Sequence, residues 1–148
     1  VELQRMLCGQ HRVVWTAYLS QSWLLGGEEG GEEERKALTE HLLPAGRLDK
    51  DAPLFRMLVE ELVEMGGEDR ARFLDLVTAS PRLPPGGLPQ AAIKVGTLKG
   101  QRVWAQTCSH AIYLPQVETR PELRAALAEA FANAPAGGFH EHGPAHTL

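Results

Sequence analysis

The stretch that decides the fold is Trp104-Ala105-Gln106-Thr107-Cys108-Ser109-His110-Ala111-Ile112-Tyr113-Leu114-Pro115. From Ala111 onward the side chains alternate between two faces, and this alternation predicts a short strand with one buried face. Cys108 comes just before that strand, in a position that the sheet anchors and that solvent can reach. Because the thiolate is the reactive form of cysteine and needs access to its substrate, Cys108 is a candidate nucleophile.

Composition sets limits on the class of protein. The chain has 148 residues, of which 43% are hydrophobic, and a net charge of −4. This length is sufficient for a hydrophobic core. The negative net charge argues against nucleic acid or an anionic membrane as a partner. No apolar run approaches the ~20 residues that cross a bilayer, so we expect no membrane partner.

The two cysteines and the N-terminus indicate where the protein works. Cys8 and Cys108 are too few and too far apart in sequence to predict a disulfide framework or a zinc site. We therefore expect a reducing compartment, the cytoplasm or the nucleus. The chain starts at Val1 without an initiating Met or a signal peptide, which suggests a fragment of a longer protein.

Hydrophobic spacing predicts an α+β fold with a small mixed or antiparallel sheet packed with helices. Helices are expected at 3–7, 13–25, 33–43, 51–65, 68–77 and after Thr119, with strands at 91–95 and around Cys108. Asp51 is the expected N-cap of the fourth helix, and Thr119 with Glu122 fits a capping box. Residues 81–89 contain four prolines and predict a rigid connecting loop.

The Cys108 stretch resembles the signature around the active-site cysteine of HECT-type ubiquitin ligases, Thr-Cys-x-x-x-Leu-x-Leu-Pro. Residues 73–88 resemble the Phe-Leu-x-Phe-Val-Thr-Gly-Ser-x-Arg-x-Pro-x-Gly-Gly stretch of the same family. Gly138-Phe139 resembles the Gly-Phe near the family's C-terminus. The N-terminal segment resembles the end of the preceding lobe through Leu3, Leu7, Cys8-Gly9 and Trp15. The four motifs occur in the family's order and cover nearly the whole chain.

The resemblance implies a domain organisation and an activity. Residues 1–45 would be the last helices of the family's N-lobe with an acidic loop, residues 46–139 the catalytic C-lobe, and residues 140–148 a flexible tail. The flexible hinge between the lobes would lie near Pro44-Ala45-Gly46. Cys108 would accept ubiquitin as a thioester from a conjugating enzyme and pass it to a substrate lysine. The part of the family that binds the conjugating enzyme is absent from this chain.

Four residues are expected to support Cys108. Thr107 is a candidate donor to the oxyanion, and Gln106 stands where the family often has His or Asn and can donate through its amide. His110 stands where the family usually has Asn. In a strand it would share the face of Cys108 and pair with the thiolate. Phe139 would act as the family's terminal aromatic and help place the cysteine for lysine attack.

Neither a cofactor nor a metal is expected. His140, His142 and His146 form a usable set of metal ligands by type. The simpler interpretation is an unstructured tail that contains incidental histidines. Two other function classes remain open from the sequence. One is an inactive HECT-like interaction module, and the other is a cysteine hydrolase with a Cys108–His110 dyad.

Overall fold

The computed structural model describes residues 30–134 of the chain. The predicted helices at 3–7 and 13–25, Cys8, Phe139 and the histidine-containing tail lie outside these residues. The described elements are α1 (Gly30–His41), β1 (Leu43–Pro44), α2 (Pro53–Glu64), α3 (Gly67–Thr78), α4 (Leu88–Ala91), β2 (Lys94–Leu98), β3 (Trp104–Gln106), a 3-10 turn (Thr107–Ser109), β4 (Ala111–Pro115) and α5 (Arg120–Asn133).

The four strands form one mixed sheet in the order β1-β2-β4-β3. Strands β1, β2 and β4 run parallel, and β3 is antiparallel to β4. The predicted α+β class with a small mixed sheet is confirmed at this level. Likeness to a HECT C-lobe in particular stays a prediction.

The core lies between the helices and one face of the sheet. Ile112 and Leu114 of β4 and Val95 of β2 are fully buried, and α3 and α5 pack against β4. The helix predicted at 51–65 is present as α2, and most of its apolar residues are buried. Burial of such side chains contributes about 1.5–3 kcal/mol each, so this shared core fixes β4 and the turn that precedes it.

The helix predicted at 33–43 spans Gly30–His41 instead, and Leu43 lies in β1. Two further predicted boundaries are wrong for local reasons. Asp51 is not the N-cap of α2, because the Asp49 carboxylate accepts the Asp51 N–H at 2.9 Å and the helix begins at Pro53 after Ala52. The strand predicted at 91–95 begins at Lys94 instead. The chain first forms the helical turn α4, whose C-cap Ala92 has left-handed backbone angles. Pro89 is tolerated in that turn because the first N–H groups of a helix lack intrahelical partners.

The predicted lobe boundary near residue 46 falls in the loop between β1 and α2, where Gly46 has a φ of 65°. Elements on its N-terminal side contact elements on its C-terminal side. Leu38 of α1 and Leu42, which follows that helix, belong to the common core, and β1 pairs with β2. The division at residues 45/46 and 139/140 stays a prediction. Among the described helices, none is long and apolar enough to cross a membrane.

Candidate functional site

Cys108 lies in the middle of the 3-10 turn that joins β3 to β4. The two strands are antiparallel neighbours in which Gln106 pairs with Ala111, so the turn closes a hairpin. The thiol is free and exposed. The sheet therefore holds both ends of the turn while the sulfur stays open to solvent, as a nucleophile requires.

Lys94 holds the same turn from the neighbouring strand β2. Its backbone N–H donates to the His110 carbonyl at 2.8 Å, and its ammonium Nζ donates to the Ser109 carbonyl at 3.1 Å. The ammonium is thus anchored at the residue that follows Cys108.

Gln106 and Ser109 close the base of the turn. The Ser109 hydroxyl lies 3.1 Å from Gln106 Oε1 and 3.4 Å from the Gln106 carbonyl oxygen, and it can donate to either acceptor. Because the amide oxygen faces Ser109, the amide NH₂ of Gln106 is left to donate elsewhere. Thr107 begins the turn and is half-buried. Gln106 and Thr107 thus lie directly before Cys108 in the turn, and their roles as donors stay predictions.

The expected geometry of His110 is wrong. Cys108 is in a 3-10 turn and His110 has left-handed backbone angles, φ 51° and ψ 51°, so the two residues do not share a strand face. The imidazole Nδ1 lies 2.7 Å from the Ala91 carbonyl oxygen at the end of α4. Within residues 30–134, no hydrogen bond joins the Cys108 thiol to the His110 ring. A Cys–His dyad therefore has no support from this geometry.

An aromatic pair lies on the face of the β3–β4 hairpin opposite to Ile112 and Leu114. The rings of Trp104 and Tyr113 stack with centroids 5.4 Å apart and an angle of 24° between their planes. Gly96 lies next to Tyr113 in the sheet, and a Cβ on Gly96 would meet the Tyr113 ring at 2.9 Å. The pair stiffens the strands that lead into and out of the Cys108 turn.

The titratable groups with shifted pKa values belong to the helices. The hydrogen bond between Arg35 and Glu60 raises the pKa of the arginine and lowers that of the carboxyl group, against the opposing effect of desolvation. The hydrogen bond to Glu64 raises the pKa of Arg120. Arg120 also reaches the buried Glu61, so this network joins α2 to α5. These pairs fix helices rather than serve the thiol.

The sequence did not reveal Lys94, Ser109 or the Ala91 carbonyl as parts of the site. The helical turn α4 was missed because the four prolines of residues 81–89 indicated a loop, and the start of β2 was therefore misplaced. The sequence did contain a signal for the backbone conformation of His110. The family usually has Asn at this position, and Asn is among the residues that adopt left-handed backbone angles most often. In the described part of the chain, no group of three or more acidic, His or Cys side chains is arranged to hold a metal ion.

Comparison with known proteins gives two kinds of match. The sequence profile described as HECT-domain (ubiquitin-transferase) matches residues 2–141. The chain is 30% identical over 123 residues to E3 ubiquitin-protein ligase Ufd4 of Drosophila melanogaster, covering 79% of this chain and 4% of that protein. Its match to E3 ubiquitin-protein ligase hecd-1 of Caenorhabditis elegans has the same identity and coverage. The chain thus spans about 4% of the length of these curated relatives.

Proposed function

The chain belongs to the HECT-domain (ubiquitin-transferase) family, and on that premise we propose that it carries the transfer step of a ubiquitin-protein ligase. Cys108 accepts ubiquitin as a thioester from a conjugating enzyme and passes it to a lysine of a protein substrate. The observation that supports this role best is the exposed, free thiol in a turn that hydrogen bonds from two strands hold in place.

The first step exchanges one thioester for another. The Cys108 thiolate attacks the carbonyl carbon of ubiquitin's terminal glycine, a new carbon–sulfur bond forms, and the conjugating enzyme leaves as a thiolate. Because the bonds broken and formed are alike, the step requires orientation and oxyanion donors more than a strong base. Gln106 Nε2 and the Thr107 hydroxyl are the proposed donors, and the Lys94 ammonium adds positive charge beside them.

The second step forms an isopeptide bond. A neutral lysine amine attacks the Cys108 thioester, the carbon–nitrogen bond forms, and Cys108 leaves as a thiolate while the amine loses a proton. Phe139, which lies outside the described residues, is the proposed aromatic that places the cysteine for this attack. Phe139→Ala should then spare thioester formation and slow the transfer from a preloaded thioester to lysine. Equal transfer rates would remove Phe139 from the proposal.

The proposal extends to the surrounding protein. Residues 1–45 would end the N-lobe, residues 46–139 would form the C-lobe, and residues 140–148 would form a tail. The conjugating enzyme would bind the family's N-lobe. The partners are ubiquitin, the conjugating enzyme and substrate lysines, with no cofactor. A free catalytic thiol fits a cytoplasmic or nuclear site of action.

A thioester trap tests the proposal against its alternatives. The protein that carries this chain together with the conjugating-enzyme-binding part is mixed with the charged conjugating enzyme and tagged ubiquitin. We expect an adduct on the ligase that thiol reductants release. Free ubiquitin without an adduct would indicate a hydrolase, and no reaction would indicate an inactive interaction module.

A further inference from the structure

The His110 side chain makes a hydrogen bond that the ubiquitin-transfer mechanism does not explain. Its imidazole Nδ1 is 2.7 Å from the Ala91 carbonyl oxygen, 19 residues earlier in the sequence. Ala91 is 1% exposed and belongs to the hydrophobic core. The contact joins the end of α4 directly to the residue that ends the Cys108 turn.

The hydrogen bond assigns the proton on the ring. A carbonyl oxygen only accepts, so Nδ1 must carry the hydrogen. Neutral imidazole protonated at Nδ1 and fully protonated imidazolium both provide this donor. The contact therefore persists whether or not the ring gains a second proton, and it does not require His110 to exchange protons with Cys108.

The strained backbone conformation of His110 makes this contact important. His110 is one of three non-glycine residues with positive φ in the described part of the chain, and such residues carry a conformational cost. Its N–H donates to the Thr107 carbonyl at 3.3 Å, and its carbonyl accepts the Lys94 N–H at 2.8 Å. With the side chain bound to Ala91, three separate bonds at one residue fix where the Cys108 turn ends.

We propose that His110 is a positioning residue for Cys108: its Nδ1–H binds the Ala91 carbonyl and thereby holds the 3-10 turn in the geometry that presents the thiol. This inference rests on the proposed function, because the thiol must be presented to a thioester. It replaces the expected pairing of His110 with the thiolate. Lys94 is the charged group that faces the same turn, and it binds Ser109 rather than the imidazole.

Two substitutions separate positioning from proton transfer. In His110→Asn, the amide Nδ2 occupies the place of the imidazole Nδ1, asparagine tolerates left-handed backbone angles, and nothing remains at the position of Nε2. In His110→Gly, the backbone angles are free of strain but the donor is lost. The 148-residue chain and both variants are reacted with the ubiquitin thioester of 2-mercaptoethanesulfonate, which requires no conjugating enzyme. Adducts are located by peptide mass spectrometry.

We expect His110→Gly to lower the second-order rate constant for adduct formation at Cys108 by about tenfold to a hundredfold, the cost of a misplaced nucleophile. His110→Asn should restore most of that rate and give the same dependence on pH as the parent. If His110→Asn is as slow as His110→Gly, the inference is overturned, and loss of a pH dependence that the parent shows would identify His110 as a base. If the parent forms no adduct at Cys108, the proposed function fails instead.

The tautomer provides a test that does not depend on a variant folding. Long-range nitrogen–proton NMR correlations of the His110 ring in the parent chain report which nitrogen carries the hydrogen. At a pH where the ring is neutral, we expect the hydrogen on Nδ1. A hydrogen on Nε2 would contradict the bond to Ala91 and overturn the inference.

Discussion

The guanidinium of Arg70 lies 2.6 Å from the carboxylate of Glu34, and both side chains are buried. Glu34 belongs to α1 and Arg70 to α3, so the pair crosses the predicted lobe boundary near residue 46. Arg70 also donates to the Leu62 and Val63 carbonyls at the end of α2. Arg70 therefore links the three helices α1, α2 and α3 to one another.

Glu34→Gln should lower the free energy of unfolding by about 3 kcal/mol, because the buried Arg70 guanidinium loses the carboxylate charge that faces it. Urea unfolding of the 148-residue chain measures this difference. Glu33→Gln is the matched control, since Glu33 is the exposed neighbour on the same helix. Equal loss in both variants would mean that the buried pair does not stabilise the fold.

The Arg35–Glu60 pair should make a pH-dependent contribution to stability. The hydrogen bond from Arg35 lowers the pKa of Glu60 below its ordinary value of 4.5. A carboxyl group with a lowered folded-state pKa contributes stability above its unfolded pKa and loses it as the pH falls through the folded-state value. Glu60→Gln should therefore be less stable than the parent at pH 7, and the difference should shrink below about pH 4.

Thermal unfolding at pH 7 and at pH 3 measures that difference. Glu40→Gln, an exposed change on α1, is the control and should show a smaller effect at both values. A destabilisation by Glu60→Gln that is unchanged at pH 3 would show that the Glu60 charge does not contribute. Added salt should also weaken the effect, because the pair is only partly shielded from solvent.

Gly96→Ala should destabilise the sheet next to the site. The new Cβ would approach the Tyr113 ring to 2.9 Å, and overpacking of this kind costs about 1–3 kcal/mol. Gly66→Ala is a suitable control, since nothing lies within 4 Å of a Cβ at that position. Urea unfolding compares the two. If Gly96→Ala lowers the free energy of unfolding no more than Gly66→Ala does, the Trp104–Tyr113 pair is free to shift.

Local patterns predicted much of the fold. The helices α2 and α3 followed from apolar spacing, and the N-cap Thr119 was confirmed, with its hydroxyl accepting the Glu122 N–H at 3.4 Å. These features depend on neighbours within a few residues, so the sequence alone contains them. The strand that follows Cys108 was predicted for the same reason, whereas the strand before it, β3, was not.

The missing parts depend on contacts between distant residues. The hydrogen bonds that Ala91 and Lys94 make with the Cys108 turn form only when β2 pairs with β4. No rule based on residue spacing predicts them. The left-handed angles at His110 moved its side chain away from the face that strand periodicity predicted. Similarly, the Glu34–Arg70 pair joins residues 36 positions apart.

Mapping the ubiquitin thioester onto one of the two cysteines tests the central claim most directly. The chain, Cys8→Ala and Cys108→Ala are each incubated with the ubiquitin thioester of 2-mercaptoethanesulfonate and resolved with and without reductant. We expect a reducible adduct at the parent rate in Cys8→Ala and none in Cys108→Ala, with all three proteins equally folded by circular dichroism. An adduct that persists in Cys108→Ala, or that is absent from the parent chain, would contradict the assignment of Cys108 as the ubiquitin acceptor.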